Sequence, residues 1–244
     1  MKQSDSYNKD IDGLRELAAA IGVEISPTMA AELITHVELL LEANTRVNLT
    51  SIRDRDAAIR LHALDSVAVL PYVQEAKPGP VADLGSGGGF PGIPIALCSH
   101  RSVALVESIA KKAKYLSDAV GSLGLSDRVT VSALRAEEEA IERPQYYSVV
   151  VARALSSLPS LVELASPLLK TGGVLIAMKG KAEDIELQAG AVAAAKVGMK
   201  QVSLDRYTLP PEGEARSVVV YVKSGRPAIR LPRNIGLAQK KPLA

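Results

Sequence analysis

Leu33, Val37, Leu40 and Leu41 recur at helical spacing within the first eighty residues, and nothing there alternates apolar with polar as a half-buried strand would. Ser26 before Pro27 supplies an N-cap followed by proline at the first helical position. The pattern changes at Val81, where short apolar runs at 103–106, 129–131, 149–152 and 174–178 alternate with helical stretches. Such alternation predicts a parallel sheet with helices on both faces. In the helix after the second run, Ile109, Ala113, Leu116 and Val120 form one stripe, opposite Lys111, Lys112 and Lys114. Beyond Gly198 two strand-like runs flank a Pro-Pro-Glu-Gly turn, which predicts an antiparallel hairpin at the sheet edge. Expected divisions are a helical extension (1–78), an α/β domain (79–223) and a tail (224–244).

Composition narrows the class. A chain of 244 residues with 47% hydrophobic content can bury a large core. No apolar run approaches the ~20 residues of a membrane span, and the first ten residues are polar, so a soluble cytoplasmic protein is expected. No assembly motif is visible, and a monomer is expected. The single cysteine, Cys98, excludes an internal disulfide, and no histidine or cysteine set suggests a metal. Net charge is only +2, yet from Lys223 onward there are six Lys or Arg and no acid. That tail should order against RNA or the domain surface, and its removal should weaken RNA binding more than cofactor binding.

The chemistry centres on Asp83-Leu-Gly85-Ser86-Gly87-Gly-Gly89-Phe90-Pro-Gly92, which joins a predicted strand to a helix. Its glycines permit a sharp turn and close backbone approach to a ligand. Residues 87–92 also match the dinucleotide pattern G-x-G-x-x-G, so an NAD-dependent oxidoreductase is one reading. Asp83 favours a different ligand, because a carboxylate at the strand end attracts a cationic amino-acid moiety and repels a pyrophosphate. S-adenosylmethionine (SAM) fits better. Glu107, with Ser108 beside it, ends the second strand where an acid accepts from ribose hydroxyls, although a helix N-terminal charge is the plain alternative. Arg135-Ala136-Glu137 lies where adenine would be read, or simply opens a solvated helix.

Elimination limits the methyl acceptor. Carbon-5 methylation of pyrimidines needs a nucleophilic cysteine, and Cys98 lies behind the loop. The fourth strand ends in Val-Ala-Arg153-Ala, without the Asn/Asp-Pro-Pro-aromatic segment of amino-group methyltransferases. Guanine N7 carries no proton to remove, so positioning alone can supply catalysis there. N7 is closed to side chains in a regular A-form helix, which points to an irregular RNA loop or a flipped base.

Together these segments resemble the RsmG (GidB) family of bacterial 16S ribosomal RNA guanine-N7 methyltransferases. Its carriers are Asn48-Leu-Thr-Ser-Ile-Arg53, His62-Ala-Leu-Asp65-Ser66, the glycine loop with Phe90-Pro-Gly-Ile-Pro94, Glu107-Ser108, Lys114-Tyr-Leu116, Arg135-Ala136-Glu137, Ala152-Arg153-Ala154, Lys179-Gly180 and Lys240-Lys-Pro-Leu243. The resemblance implies a Rossmann-like class I SAM-dependent methyltransferase fold and a target at guanine 527 in the 530 loop of 16S rRNA, carried as free RNA or as the 30S subunit. It also implies cofactor contacts at Gly85, Phe90, Ala136, Glu137 and Arg153, alongside the loop positions Asp83, Ser86, Gly87 and Gly89. Gly88 and Glu107 depart mildly from the family's usual residues.

Asn48, His62 and Arg153 are the candidate catalytic residues, with Asp65, Ser66, Lys179, Arg230 and Arg233 as further substrate contacts. Asn48 and His62 are expected on helix ends that fold over the site. The residues alone leave His62 open as a structural histidine, Arg153 as half of a buried salt bridge and Lys179 as a surface lysine. His36 and His100 are taken as structural. A non-catalytic rRNA-binding protein on the same fold stands as the second alternative.

Overall fold

A computed structural model of the protein describes residues 2–244. Helices α1 (Lys2–Ala20) and α2 (Pro27–Asn44) come first, and Ser26 caps α2 by accepting the Met29 N–H at 3.1 Å. Next are α3 (Arg55–Ala58), a π-helical turn (Ile59–Leu64), α4 (Asp65–Val67) and α5 (Leu70–Glu75). The α/β part runs β1 (Val81–Leu84), α6 (Gly92–Cys98), β2 (Val103–Val106), α7 (Ala110–Ser122), β3 (Val129–Ser132), α8 (Ala136–Glu142), β4 (Tyr147–Arg153), α9 (Leu158–Ala165), β5 (Leu169–Lys179) and α10 (Asp184–Lys196). It closes with β6 (Met199–Leu209), β7 (Glu214–Lys223) and the short α11 (Leu237–Lys240).

The seven strands lie in the order β3-β2-β1-β4-β5-β7-β6, parallel from β3 to β5, with β7 antiparallel to both β5 and β6. The expected hairpin is present, and β6 is the edge. Successive strand residues face opposite ways, so Val149 and Val151 join one apolar cluster while Val150 and Ala152 join the other. The first cluster includes Leu33 and Leu40 of α2 together with Ile93 and Leu105 of the α/β part. The 1–78 segment is therefore packed into the same core as the sheet.

Among the described residues no helix is long and apolar enough to cross a membrane. The tail orders against the domain: Ala238 is buried, Ser160 Oγ donates to the Ala238 carbonyl at 2.9 Å, and Arg233 forks onto Glu163 at 2.5 and 2.6 Å. Of the two expected surfaces, RNA or the domain, the tail packs on the domain, and Arg233 is used to build the protein. The order reverses at β1, which has β2 on one side and β4 on the other, and ligands of open parallel sheets sit beyond the strand ends at such a point.

Candidate active site

Two cavities open beyond the strand ends and share Ala154 as a common wall. Ala154 follows β4 with φ of 54°, a conformation alanine seldom adopts and one that packed surroundings must hold.

The cavity beside the glycine loop is about 270 Å³ and is walled by Gly85, Gly87, Glu107, Ser108, Ile109, Ala136, Glu137 and Leu155, among others. Gly85 has φ of 70°, and a Cβ there would meet Leu155 Cδ1 at 2.6 Å, so glycine is required both by conformation and by the neighbouring wall. Glu107 fixes the floor: its Oε2 accepts the Gly87 N–H at 3.0 Å and its Oε1 the Ile109 N–H at 2.8 Å. At the other end α8 presents Ala136 and Glu137, first-turn residues whose N–H groups have no acceptor within the helix.

Asp83 lies beneath the loop rather than in the cavity. It is 1% exposed, and its Oδ2 accepts the Gly92 N–H at the start of α6 at 3.0 Å. Burial pushes its carboxyl up to about 6, against the lowering effect of the Gly92 hydrogen bond. Asp83 Oδ1 has no partner among the described residues. Ser86 donates to the Asp83 carbonyl, and Gly89 packs on Ile93 and His36, so both brace the loop from below.

The second cavity, about 430 Å³, lies between the π-helical turn, the ends of β4 and β5, and the hairpin. Its size is within the ~300–1,000 Å³ usual for small-ligand sites. Asp65, 4% exposed, joins the two sides: Arg153 Nη1 donates to Oδ2 at 3.2 Å and Arg216 Nε to Oδ1 at 2.9 Å. Arg153 also donates to the Leu61 carbonyl at 3.0 Å and to His62 Nδ1 at 3.1 Å. With Nδ1 accepting, the His62 proton sits on Nε2, which donates to Thr50 Oγ1 at 3.0 Å. Arg60, from the same π-helical turn, clamps the hairpin tip through Glu212 at 2.7 Å and Glu214. A π-turn at a cavity is a frequent functional feature.

Phe90 is buried between two imidazoles, with ring centroids 4.0 Å from His36 and 5.0 Å from His62. Arg153 lies 5.7 Å from the same ring. Burial lowers both histidines to about 3, with the Arg153 charge adding to the effect. Both are neutral in the fold but would protonate near 6.5 once unfolded, so acidification below 6.5 removes stability as far as about 3. Asp83 acts in the opposite sense between 3.8 and about 6, since the fold retains a proton the unfolded chain has lost. Two histidines outweigh one carboxyl. Urea midpoints should fall as pH drops from 6.5 to 4, and His36→Phe should flatten that slope by up to ~1.4 kcal/mol per pH unit. A parallel slope in the variant would contradict the assignment.

The candidates thus fall into separate groups. Gly85, Gly87, Glu107, Ser108, Ala136 and Glu137 meet at the first cavity, while His62, Asp65, Arg153 and Lys179 meet at the second. Asp83, Ser86, Gly89 and Phe90 support the loop from behind. Asn48 is exposed in an irregular segment and walls neither cavity, which corrects its expected place on a helix end; Asn44 organises that turn by accepting the Leu49 and Thr50 N–H groups. His62 lies inside the π-helical turn rather than at a helix end. Ser66 is fully buried and donates to the His62 carbonyl, an intrahelical bond in place of a substrate contact. Lys179 pairs with Glu186 at 2.8 Å and donates to the Ser156 carbonyl, which occupies its ammonium. Arg233 is spent on Glu163 and the Lys241 carbonyl, whereas Arg230 is exposed.

Several site residues were not anticipated. Tyr207 and Arg216 are direct cross-strand partners on the hairpin, and Thr50 reaches the second cavity from the loop after α2. Ile109, placed on the apolar stripe of α7, is instead 50% exposed because it faces the first cavity.

Comparison with known proteins supplies the family. The family model for rRNA small subunit methyltransferase G matches residues 29–212. The ribosomal RNA small subunit methyltransferase G of Geobacillus thermodenitrificans is 35% identical over 225 residues, covering 91% of this chain and 94% of that protein. That of Deinococcus radiodurans is also 35% identical, covering 94% of this chain and 91% of its own. Among solved structures, M. jannaschii TYW2 in complex with AdoMet superposes with a TM-score of 0.52 at 17% identity, over 66% of this chain and 76% of that one. A geranyl diphosphate methyltransferase bound to GPP and sinefungin gives 0.54 at 14% identity, over 68% and 78%. These likenesses are of fold: the class I methyltransferase architecture.

Proposed function

We propose, since this chain belongs to the rRNA small subunit methyltransferase G family, that its paired cavities hold the two reactants of one methyl transfer. It is a SAM-dependent methyltransferase of 16S rRNA. In our reading the acceptor is guanine N7, at position 527 of the 530 loop, and the observation that carries this division of labour is the common wall at Ala154. A nucleoside cofactor fits the first cavity and a target base the second.

The residues suit that cofactor. Glu107, at the end of β2, would face ribose, and the free N–H groups at Ala136 and Glu137 would face adenine. When bound, SAM supplies a methyl group activated by its sulfonium. The dinucleotide reading fails on the same loop, because a pyrophosphate would need the α6 N-terminus, where Asp83 already accepts the Gly92 N–H.

In the second cavity, no side chain has to remove a proton from N7, which has none. Positioning does the work. Arg153 is held by Asp65, His62 and the Leu61 carbonyl, so its charge stays fixed at the boundary between the cavities. Tyr207 and Arg216 would receive the base from the hairpin side. Radiolabelled SAM offered with naked 16S rRNA or with 30S subunits tests the proposal. Label should enter RNA from at least one of them, and label in neither would refute it.

A further inference from the structure

The C-terminal segment reaches the mouth of the first cavity, a use that nothing in its composition suggests. Gln239 of α11 is one of that cavity's walls, alongside Ile109, Ala136 and Glu137. Its position is held from three directions. The Gly236 N–H donates to Glu137 Oε1 at 2.7 Å, joining the start of α11 to α8. The Ala238 carbonyl accepts from Ser160 Oγ at 2.9 Å, and the methyl of Ala238 is buried against the domain. Arg233 holds the preceding turn through its fork onto Glu163. Amid these anchors the Gln239 side chain itself is exposed, and its carboxamide has no hydrogen-bond partner among the described residues.

We propose that the segment 231–244 is a fixed strap completing the cofactor site, and that Gln239 reads the adenine edge. This role rests on the first cavity being the SAM site. Glu107 would take ribose at the β2 end, so the base extends toward α8, the side on which α11 is tied down. Adenine presents a donor at the 6-amino group beside an acceptor at N1. A carboxamide presents an acceptor and a donor side by side, which complements that edge, while a carboxylate or ammonium could satisfy only half of it. Gln239 is thus a specificity-determining residue for the cofactor, and the Glu137 carboxylate acts through the strap by holding Gly236.

The test is a two-by-two comparison with the full-length protein, using S-adenosylhomocysteine and its analogue lacking the 6-amino group as calorimetric ligands. Wild type should bind the analogue about 5- to 10-fold more weakly than S-adenosylhomocysteine, the worth of one hydrogen bond. Gln239→Leu should weaken S-adenosylhomocysteine by a similar factor, yet distinguish the two ligands by less than about 2-fold. Because Gln239 is exposed, its melting temperature should match wild type. Unchanged affinity in Gln239→Leu, or full discrimination retained, would overturn the strap proposal while leaving the cavity assignment intact. A wild-type protein that binds neither ligand would instead overturn the assignment of the cavity.

Discussion

Gly87→Asp is expected to abolish methyl transfer and to weaken SAM binding by about 100-fold, with an unchanged circular dichroism spectrum. Residue 87 has φ of 55°, and aspartate is among the few residues that enter this region at small cost. The built Cβ meets only the Gly85 carbonyl, at 3.8 Å, so the fold accommodates the side chain. The side chain would take up space in the first cavity, which residue 87 walls. A side chain in that space competes with the bound cofactor, and a loss of two decades in affinity corresponds to ~2.8 kcal/mol. Methylation at the wild-type level in this variant would remove the first cavity from the account.

Asp65→Ala should cost stability and activity together. Asp65 holds Arg153 of β4 and Arg216 of β7 together at the second cavity. Removing one partner of a buried pair costs ~3–5 kcal/mol, and the slight exposure of both arginines reduces this to ~2–4 kcal/mol. A chain of this size should then melt about 5–15 °C lower. Methyl transfer should fall further than stability explains, because Arg153 loses its anchor. Adding Arg216→Leu should restore part of the melting temperature, since one stranded charge is removed, but none of the activity. Full additivity of the two substitutions would show that the pair does not couple.

Much of this fold is visible in the sequence because its signals are local. Alternating apolar runs and helical stripes identify the parallel sheet, and the Pro-Pro-Glu-Gly turn between two β-rich runs identifies the hairpin. The cofactor loop is equally local, with Gly85, Gly87, Glu107, Ala136 and Glu137 each at the end of a strand or the start of a helix. What escapes the sequence depends on distant partners. Tyr207 and Arg216 become site residues only through hairpin register and Asp65, which lies 151 residues from Arg216. The six cations from Lys223 onward suggest RNA, yet Arg233 finds the buried Glu163 seventy residues away and serves docking. Asp83 shows the subtler limit: its place at a strand end is legible, but its burial beneath the loop depends on how α6 packs.

Ile109 and Gln239 show the same limit from the opposite side. An apolar residue on a helical stripe is ordinarily core, and Ile109 departs from that rule because a cavity occupies the space it faces. Deletion of 226–244 is accordingly expected to impair cofactor binding as well as any RNA contact, whereas charge alone points to RNA.

Guanine N7 in small-subunit RNA is the proposed acceptor at the cavity beside Ala154. The most direct measurement incubates purified protein and SAM with 30S subunits from a strain lacking the protein, then maps 7-methylguanine by chemical strand scission and mass spectrometry. One new 7-methylguanine, at position 527 of the 530 loop and absent with Gly87→Asp, is the predicted result. Methyl groups on another atom or at another nucleotide, or an equal yield from the variant, would contradict it.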